Sequence, residues 1–454
     1  MESSIKPFKR KNIYTPVQIL SMGFAIVIFS GAMLLSLPIS SQSGEFTPFI
    51  DCIFTSTSAV CVTGLVTVDT GTYWTYFGKT VIITLIQIGG LGFMSVATLV
   101  FLILGKRITL KERLVIQESM NVNSLQGVVK MIKYVLIFTF SVEAIGAVLF
   151  STQFIPRFGI AKGLYYSCFH AISAFCNAGF DLMGGFTSVT AYANNSVIIL
   201  TISALIAVGG LGFFVWVEIY NCWGVKRLSL HSRVVIYTTL VLIFGGAILM
   251  FIFEMNNPYT MGGMSFKGKI LSSIFASVSP RTAGFNSIPL EKMTTAGIFL
   301  TIILMFIGGS PGSTAGGLKT TTAVLLLMTV VSVVRGREET EIFQKRIDKE
   351  LVYKAFAIAV ISMALVIIVT MILSITEKPD IPFEYFLYEA TSAFATVGLT
   401  LGLTTELSFV GKIVISLTMY AGRVGLLTII LALTKNKNSK SGTIRYPEDK
   451  ILIG

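Results

Sequence analysis

Nine apolar stretches, near residues 16–38, 81–104, 134–153, 197–220, 234–253, 295–308, 323–334, 355–375 and 411–433, limit what this chain can fold into. Most are long enough to cross a hydrocarbon layer of roughly 30 Å as helices, and a helix satisfies its own backbone groups in that medium. The stretch 295–334 reads as one span interrupted in the middle, which leaves eight spans. Of 454 residues 53% are hydrophobic and only 13% charged, far from soluble globular usage. The fold class expected is an all-α integral membrane protein.

A formal net charge of +12 invites a nucleic-acid reading, but the placement of the charge argues against it. Lys6, Lys9, Arg10 and Lys11 precede the first span, and Lys106, Arg107, Lys111, Arg113, Lys130 and Lys133 follow the second. The same bias returns with Lys226, Arg227 and Arg233, with Arg335, Arg337, Lys345, Arg346, Lys349 and Lys354, and with Lys435, Lys437, Lys440, Arg445 and Lys450. Alternate connections are therefore basic, and by the positive-inside rule they are cytoplasmic together with both termini. The basic start runs into a long apolar stretch without a small-residue cleavage site, so the first helix is expected to be retained. Cys52, Cys61, Cys168, Cys176 and Cys222 form no CxxC and read as small packing residues.

The remaining connections repeat. TSAVCVTGLV (57–66), ISAFCNAGFD (172–181), ASVSPRTAGF (276–285) and TSAFATVGLT (391–400) each carry a glycine followed by an apolar residue, at Gly64, Gly179, Gly284 and Gly398. Each follows a semi-apolar segment too short to span a bilayer: FIDCIFTSTSAV, GLYYSCFHAISAF, GKILSSIFASVS and FEYFLYEATSAF. The expected unit is a membrane helix, a re-entrant pore helix, a glycine strand and a second membrane helix, four times over. The boundaries read as an N-terminal segment 1–15, repeats at 16–105, 127–224, 232–335 and 350–434, and a tail at 435–454. Non-helical backbone at membrane depth survives only when buried in protein or lining a water-filled cavity, so the four strands should converge on one pore per chain.

The strand chemistry is that of backbone oxygen. Val62, Thr63 and Gly64, with Asn177, Ala178 and Gly179, Thr282, Ala283 and Gly284, and Thr396, Val397 and Gly398, bring no anionic side chain but a full set of carbonyls. Glycine admits the dihedrals that turn carbonyls inward, and four such strands can replace the hydration shell of a monovalent cation. Pore helices aimed at the axis by their C-terminal ends would add to the preference for cations. One copy of such a small-residue pattern would read as helix packing, whereas four copies in the same context favour a pore.

On these strands, on GGLGF at 89–93 and 209–213, on SPRTAGF at 279–285 and on GGSPGSTAGGLKT at 308–320, the chain resembles the Trk/Ktr/HKT superfamily of potassium transporters over nearly its whole length. The closing RYPEDKILIG and the lack of an extra helix pair make it most similar to the membrane subunit of the bacterial Ktr system. The resemblance implies potassium uptake across the plasma membrane, with glycine in all four filter positions as the mark of potassium selectivity. Plant relatives with serine in the first repeat favour sodium, and here that position is Gly64. It further implies a homodimer in which each chain holds its own pore, and a separate cytoplasmic ring of nucleotide-binding domains controlled by ATP or ADP. Potassium is then the substrate, and no cofactor is expected in the chain itself.

The stretch 308–320 nearly meets the phosphate-loop pattern, since Gly312 and Gly317 have the spacing, but Leu318 holds the lysine position and Lys319 comes one residue late. It follows TAGIFLTIILMFI, a membrane segment rather than a strand. A hinge fits better: Gly308, Gly309, Gly312, Gly316 and Gly317 with Pro311 should unwind the helix beneath the third pore loop. By resemblance, residues 308–317, with Ser310, Ser313, Thr314 and Ala315 among them, form an intramembrane gate. Lys319 and Arg423 are charges at membrane depth, which usually face the bundle interior or water. Arg423 either holds the gate loop or tunes conduction; the alternatives are a pair with a carboxylate such as Glu389, or snorkelling to the interface. Arg281 is expected to point behind the filter and brace it. Asp51, Glu143, Glu218 and Glu254 are candidate counter-charges with no assignable pairs.

His170 and His231, the only histidines, are too few for a proton relay or metal site, and no nucleophilic triad appears, so the chain does not read as an enzyme. Membrane lipid and the regulatory ring are the partners expected, not nucleic acid. The alternative function is a sodium-coupled secondary transporter of monovalent cations, whose broken helices would bind substrate at midplane, although repeats of one orientation argue for parallel units. A membrane scaffold without transport would leave the four glycines unexplained.

Overall fold

The computed structural model describes residues 16–92, 94–96, 98–99, 112, 114–115, 128–221 and 228–425. Lys6, Lys9, Arg10, Lys11, Phe93, Lys106, Arg107, Lys111, Arg113, Cys222, Lys226, Arg227 and everything from residue 426 onward, the tail 435–454 included, lie outside them.

The chain is predominantly helical. α1 (Pro16–Ser36), α2 (Phe49–Val60) and α3 (Tyr76–Leu91) are followed by α4 (Val128–Phe158), α5 (Ile160–Phe175), α6 (Ser196–Gly210) and α7 (Phe213–Asn221). Next come α8 (Leu230–Glu254), α9 (Phe266–Val278), α10 (Thr295–Phe306) and α11 (Thr320–Val334). A two-stranded hairpin, β1 (Glu341–Ile342) with β2 (Lys345–Arg346), leads to α12 (Lys349–Thr376), α13 (Phe383–Ala395) and α14 (Phe409–Val424). The order long helix, short helix, loop, second helix therefore recurs along the sequence.

Among the described residues, Gln18–Ser36, Val129–Phe158, Leu230–Glu254 and Lys349–Thr376 are each long and apolar enough to cross a membrane alone. Large apolar side chains such as Ile137, Ile145, Val148, Val241, Ile248 and Ile367 stand exposed on these long helices. Phe54, Phe169, Phe175, Phe275 and Tyr388, on the short helices, are fully or almost fully buried. That arrangement, apolar outside and the short helices within, is what a hydrocarbon solvent permits.

Among the described residues, the second spans expected at 81–104 and 197–220 are interrupted, and the helix of the span expected at 411–433 ends before Gly425. α3 stops before Gly92 (φ 81°), α6 and α7 meet at 90° across Gly212 (φ 94°), and α14 stops before Gly425 (φ 91°). The reason is a shared pattern. Gly89-Gly90-Leu91-Gly92, Gly209-Gly210-Leu211-Gly212 and Gly422-Arg423-Val424-Gly425 place one glycine against a short helix and another, three residues on, in a conformation that ends regular helix. A Cβ on Gly89, Gly209 or Gly422 would overlap the carbonyl oxygen of Val60, Phe175 or Phe394, near the C-terminal end of α2, α5 and α13. Interruption is thus not confined to 308–317.

The third and fourth units are locked by one device, and the second by a side-chain hydrogen bond at the same place. Glu254 at the end of α8 accepts from the Thr294 amide (2.8 Å) and hydroxyl (2.7 Å) at the start of α10. Glu377 after α12 does the same for Ser408, at 2.9 and 2.7 Å, before α14. Gln153 in α4 accepts from Asn195, the cap of α6, at 2.9 Å. Asp51 of α2 and Lys412 of α14 form an ion pair of 2.7 Å that joins the first unit to the fourth. Glu377→Ala is expected to cost about 1–3 kcal/mol, because it leaves the Ser408 amide and hydroxyl without their acceptor. Thermal unfolding in detergent or nanodiscs measures this, and Glu406→Ala, which removes the exposed Lys378 pair, should change it little.

Candidate functional site

Four strands, at 62–64, 177–179, 282–284 and 396–398, follow the short helices and share one backbone conformation. The first residue of each is left-handed, at Val62 (φ 58°), Asn177 (61°), Thr282 (71°) and Thr396 (51°). The glycine is left-handed too, at Gly64 (96°), Gly179 (71°), Gly284 (78°) and Gly398 (91°), while the residue between is not. Alternating handedness along a strand turns successive carbonyls to one side instead of to opposite sides. Val62, Thr282 and Thr396 are β-branched, so the conformation is unfavourable by about 1–3 kcal/mol at each and persists only where its surroundings enforce it.

The strands are adjacent in a closed ring. A Cβ on Gly179 would stand 2.8 Å from the Ala283 oxygen, and one on Gly284 would stand 2.6 Å from the Val397 oxygen. On Gly398 it would overlap the Thr63 oxygen, and on Gly64 the Ala178 oxygen, so every glycine faces the carbonyl of the next strand in turn.

The amide of the middle residue of each strand is bonded behind the ring. Thr63, Ala178 and Val397 each donate to a serine carbonyl, of Ser58, Ser173 and Ser392, at 2.8 Å, and Ala283 donates to Ser279 at 2.9 Å. The serine hydroxyls divide by unit: those of Ser58 and Ser392 accept from Gly64 and Gly398, and those of Ser173 and Ser279 donate to the carbonyls of Phe180 and Phe285. Among the described residues no strand carbonyl accepts a backbone hydrogen bond, which leaves a ring of unspent oxygens. At its base Asn177 donates to Thr282 at 3.5 Å, while Asn177 Oδ1 and Thr396 Oγ1 are buried without a partner.

On one side the ring opens into a cavity of about 800 Å³ lined by all four glycines. Asp69, Asp181, Glu291, Asp380 and Glu406 line it with Lys292, and Lys378 pairs with Glu406, so acidic groups outnumber basic ones and the field favours cations.

On the other side lies the loop 308–317. Its ends are pinned to each other, with Gly308 donating to Leu318 (2.9 Å) and Thr320 to Gly309 (3.1 Å). One flank is zipped to the break between α6 and α7: Ser310 and Thr314 donate to Gly210 and Gly209, and Phe213 donates to Gly312. On the opposite flank Arg423 donates to the carbonyls of Thr314 and Gly89, and to Gly90 at 3.5 Å. Lys319 donates to Ala315 at 2.7 Å, within the loop. A Cβ on Gly316 would overlap the Thr396 hydroxyl, so the loop lies directly against the base of the fourth strand.

Of the readings open for Arg423, the structure gives hydrogen bonds to the loop, and the pairing with Glu389 is corrected: that carboxylate accepts from Thr400 and Thr404. Asp51 pairs with Lys412, Glu143 accepts from Gln87 (3.0 Å), Glu218 from Ser229 and Ser232, and Glu254 from Thr294, Thr260 and Asn257. Neutral donors thus serve three of the four expected counter-charges. Arg281 points away from the ring to Thr239 of α8, at 3.4 Å. Cys52, Cys61 and Cys176 are buried and Cys168 is exposed.

Sequence reasoning missed three elements of the site: the left-handed residues two before each glycine, the acidic mouth, and the register of Arg423. The last had a signal, since Gly422-Arg423-Val424-Gly425 aligns with the two GG-x-G runs and puts arginine where they have a second glycine. The first had a signal only at Asn177, a residue type that favours left-handed backbone, because valine and threonine disfavour the conformation they adopt.

Residues 3–442 match the family model TrkH, described as a cation transport protein. The chain is 45% identical over 444 residues to the Potassium/sodium uptake protein NtpJ of Enterococcus hirae, covering 97% of each. It is 42% identical over 441 residues to the Ktr system potassium uptake protein B of Bacillus subtilis, again covering 97% of each. The crystal structure of the potassium transporter TrkH from Vibrio parahaemolyticus superposes with a TM-score of 0.72 over 94% of this chain and 86% of that one; at 16% identity it shows a common fold. The chain belongs to the TrkH family of cation transport proteins, a transporter family and not a family of enzymes.

Proposed function

We propose that this chain takes up potassium ions across the plasma membrane through the ring of strands at Gly64, Gly179, Gly284 and Gly398. The observation that carries the reading is the closed ring of unspent carbonyls, opening on one side to an acidic mouth and covered on the other by the loop 308–317. Oxygens fixed around a central axis replace the water of a dehydrated cation, and the left-handed residues hold them there. The loop, its interior glycines and Lys319 act as the gate, and Arg423 is its latch. The names of the relatives supply potassium, and the Ktr names imply a system with a further regulatory subunit.

In this reading the four units 16–105, 127–224, 232–335 and 350–434 each supply two membrane helices, the second one interrupted, and one re-entrant pore helix. Both termini and the basic connections face the cytoplasm, where a nucleotide-binding ring governed by ATP or ADP docks on a homodimer. Sodium-coupled uptake is the second reading, favoured by the relative named for both ions.

The test is potassium, rubidium and sodium flux into proteoliposomes holding the purified chain, beside a variant with the 308–317 loop shortened. Potassium and rubidium entry exceeding sodium entry, increased by the shortened loop, is the expected result. Silence from both proteins would overturn the pore. A requirement for an inward sodium gradient would select the second reading.

A further inference from the structure

Glu389 lies on α13, nine residues before Gly398, and is completely buried. Its carboxylate accepts from the Thr400 hydroxyl at 2.8 Å and the Thr404 hydroxyl at 2.5 Å. Thr400 comes two residues after the ring glycine, and Thr404 sits in the turn Leu403–Glu406 that follows. The Thr400 hydroxyl in turn accepts from the Gly402 amide at 3.1 Å. One carboxylate thus ties the short helix to the loop that leaves the fourth strand and lines the cation-collecting mouth. Among the described residues no basic side chain pairs with it.

The same register is used in the second unit. His170 lies nine residues before Gly179, is 1% exposed, and its Nε2 accepts from the Leu182 amide (3.4 Å), three residues past the glycine. Its Nδ1 donates to the Tyr166 carbonyl at 2.7 Å. In the first and third units the position holds Thr55, whose hydroxyl is unpartnered, and Phe275. At this register a polar side chain therefore ties the segment leaving the second and fourth strands, which are opposite in ring order, and none does so at the first and third.

We infer that Glu389 is a positioning residue for ion specificity, fixing the fourth strand through Thr400 so that the ring cannot contract around a smaller cation. This rests on the filter reading. A ring tells ions apart by holding its oxygens against collapse, and a strand whose exit loop is loose yields most easily. Three groups, none of them in the ring, then act as one unit: Glu389, Thr400 and Thr404.

The experiment reads the potassium-to-sodium flux ratio in proteoliposomes for the full chain, Glu389→Gln, Glu389→Ala, Thr400→Val, Thr404→Val and the Glu389→Ala/Thr400→Val pair, with Gly64→Ser as reference. Glu389→Ala should lower the ratio about tenfold while potassium flux changes by no more than about threefold, since the loss falls on discrimination and not on passage. Glu389→Gln, which keeps one acceptor oxygen, should fall between. Thr400→Val should act in the same direction, and the pair should not be additive, because both remove one interaction. If Glu389→Ala fails to assemble by gel filtration, the two threonine variants decide. An unchanged ratio in them, with a potassium-selective full chain and a Gly64→Ser variant that has lost selectivity, would overturn the inference and spare the filter. A full chain without preference, unaffected by Gly64→Ser, would overturn the filter itself.

Discussion

Gly398→Ser is expected to reduce potassium flux by at least about 100-fold, or to leave a residual flux that no longer distinguishes potassium from sodium. Two costs combine at this position. Its φ of 91° is outside what a residue with a Cβ readily adopts, and the Cβ itself would overlap the Thr63 carbonyl oxygen of the neighbouring strand. Either that carbonyl swings away or the strand backs off, and both break the ring at the contact between the fourth unit and the first. About 3 kcal/mol lost from the conducting arrangement corresponds to roughly 100-fold. Gly44→Ala separates the two costs, since Gly44 is also left-handed (φ 71°) but a Cβ added there would meet nothing within 4 Å. It should keep its flux. Rubidium uptake by reconstituted protein reads both variants, and normal flux through Gly398→Ser would end the case for a ring that must close.

Arg423→Gln should act in the opposite direction and raise flux through the purified chain by about 30-fold. The guanidinium ties Thr314 of the loop to Gly89 and Gly90 of the first unit, joining carbonyls from two elements far apart in sequence. Arginine suits this because its donors spread in a planar fork; glutamine cannot span both sides, and Arg423→Lys should be intermediate. Charged hydrogen bonds to backbone are worth about 1.5–3 kcal/mol, so losing the bridge shifts the loop away from its covering position by roughly the stated factor. Removing a buried positive charge beside a cation path works in the same direction. Single-channel recording or stopped-flow flux measures the gain. Flux at or below the unsubstituted level, in a variant of normal melting temperature, would mean that Arg423 serves assembly and not the gate.

Much of the helical plan is local information, and the sequence shows it. The segment FIDCIFTSTSAV coincides with the helix Phe49–Val60, and FEYFLYEATSAF falls one residue short of Phe383–Ala395. Glycine and proline mark the loop 308–317 just as directly, and alternating basic connections mark the membrane class. Each of these is a property of neighbours along the chain. The second helices were less legible. GG-x-G reads locally as a packing motif within an apolar run, and it breaks the helix because the glycine must meet a short helix from an earlier part of its unit.

The sequence alone determined that this is a helical membrane protein with four glycine strands behind four short helices and an interruption at 308–317, since hydrophobic length and glycine content act on the chain where they stand. Only the tertiary structure decided that the strands close on one another, that Val62, Thr282 and Thr396 take left-handed backbone, and that Arg423 meets Thr314 and Gly89 while Glu389 meets Thr400 and Thr404. The physical reason is distance along the chain. The left-handed residues are held by packing against strands and loops distant in sequence, and the buried guanidinium by carbonyls just as distant, and no local pattern records which partners those are.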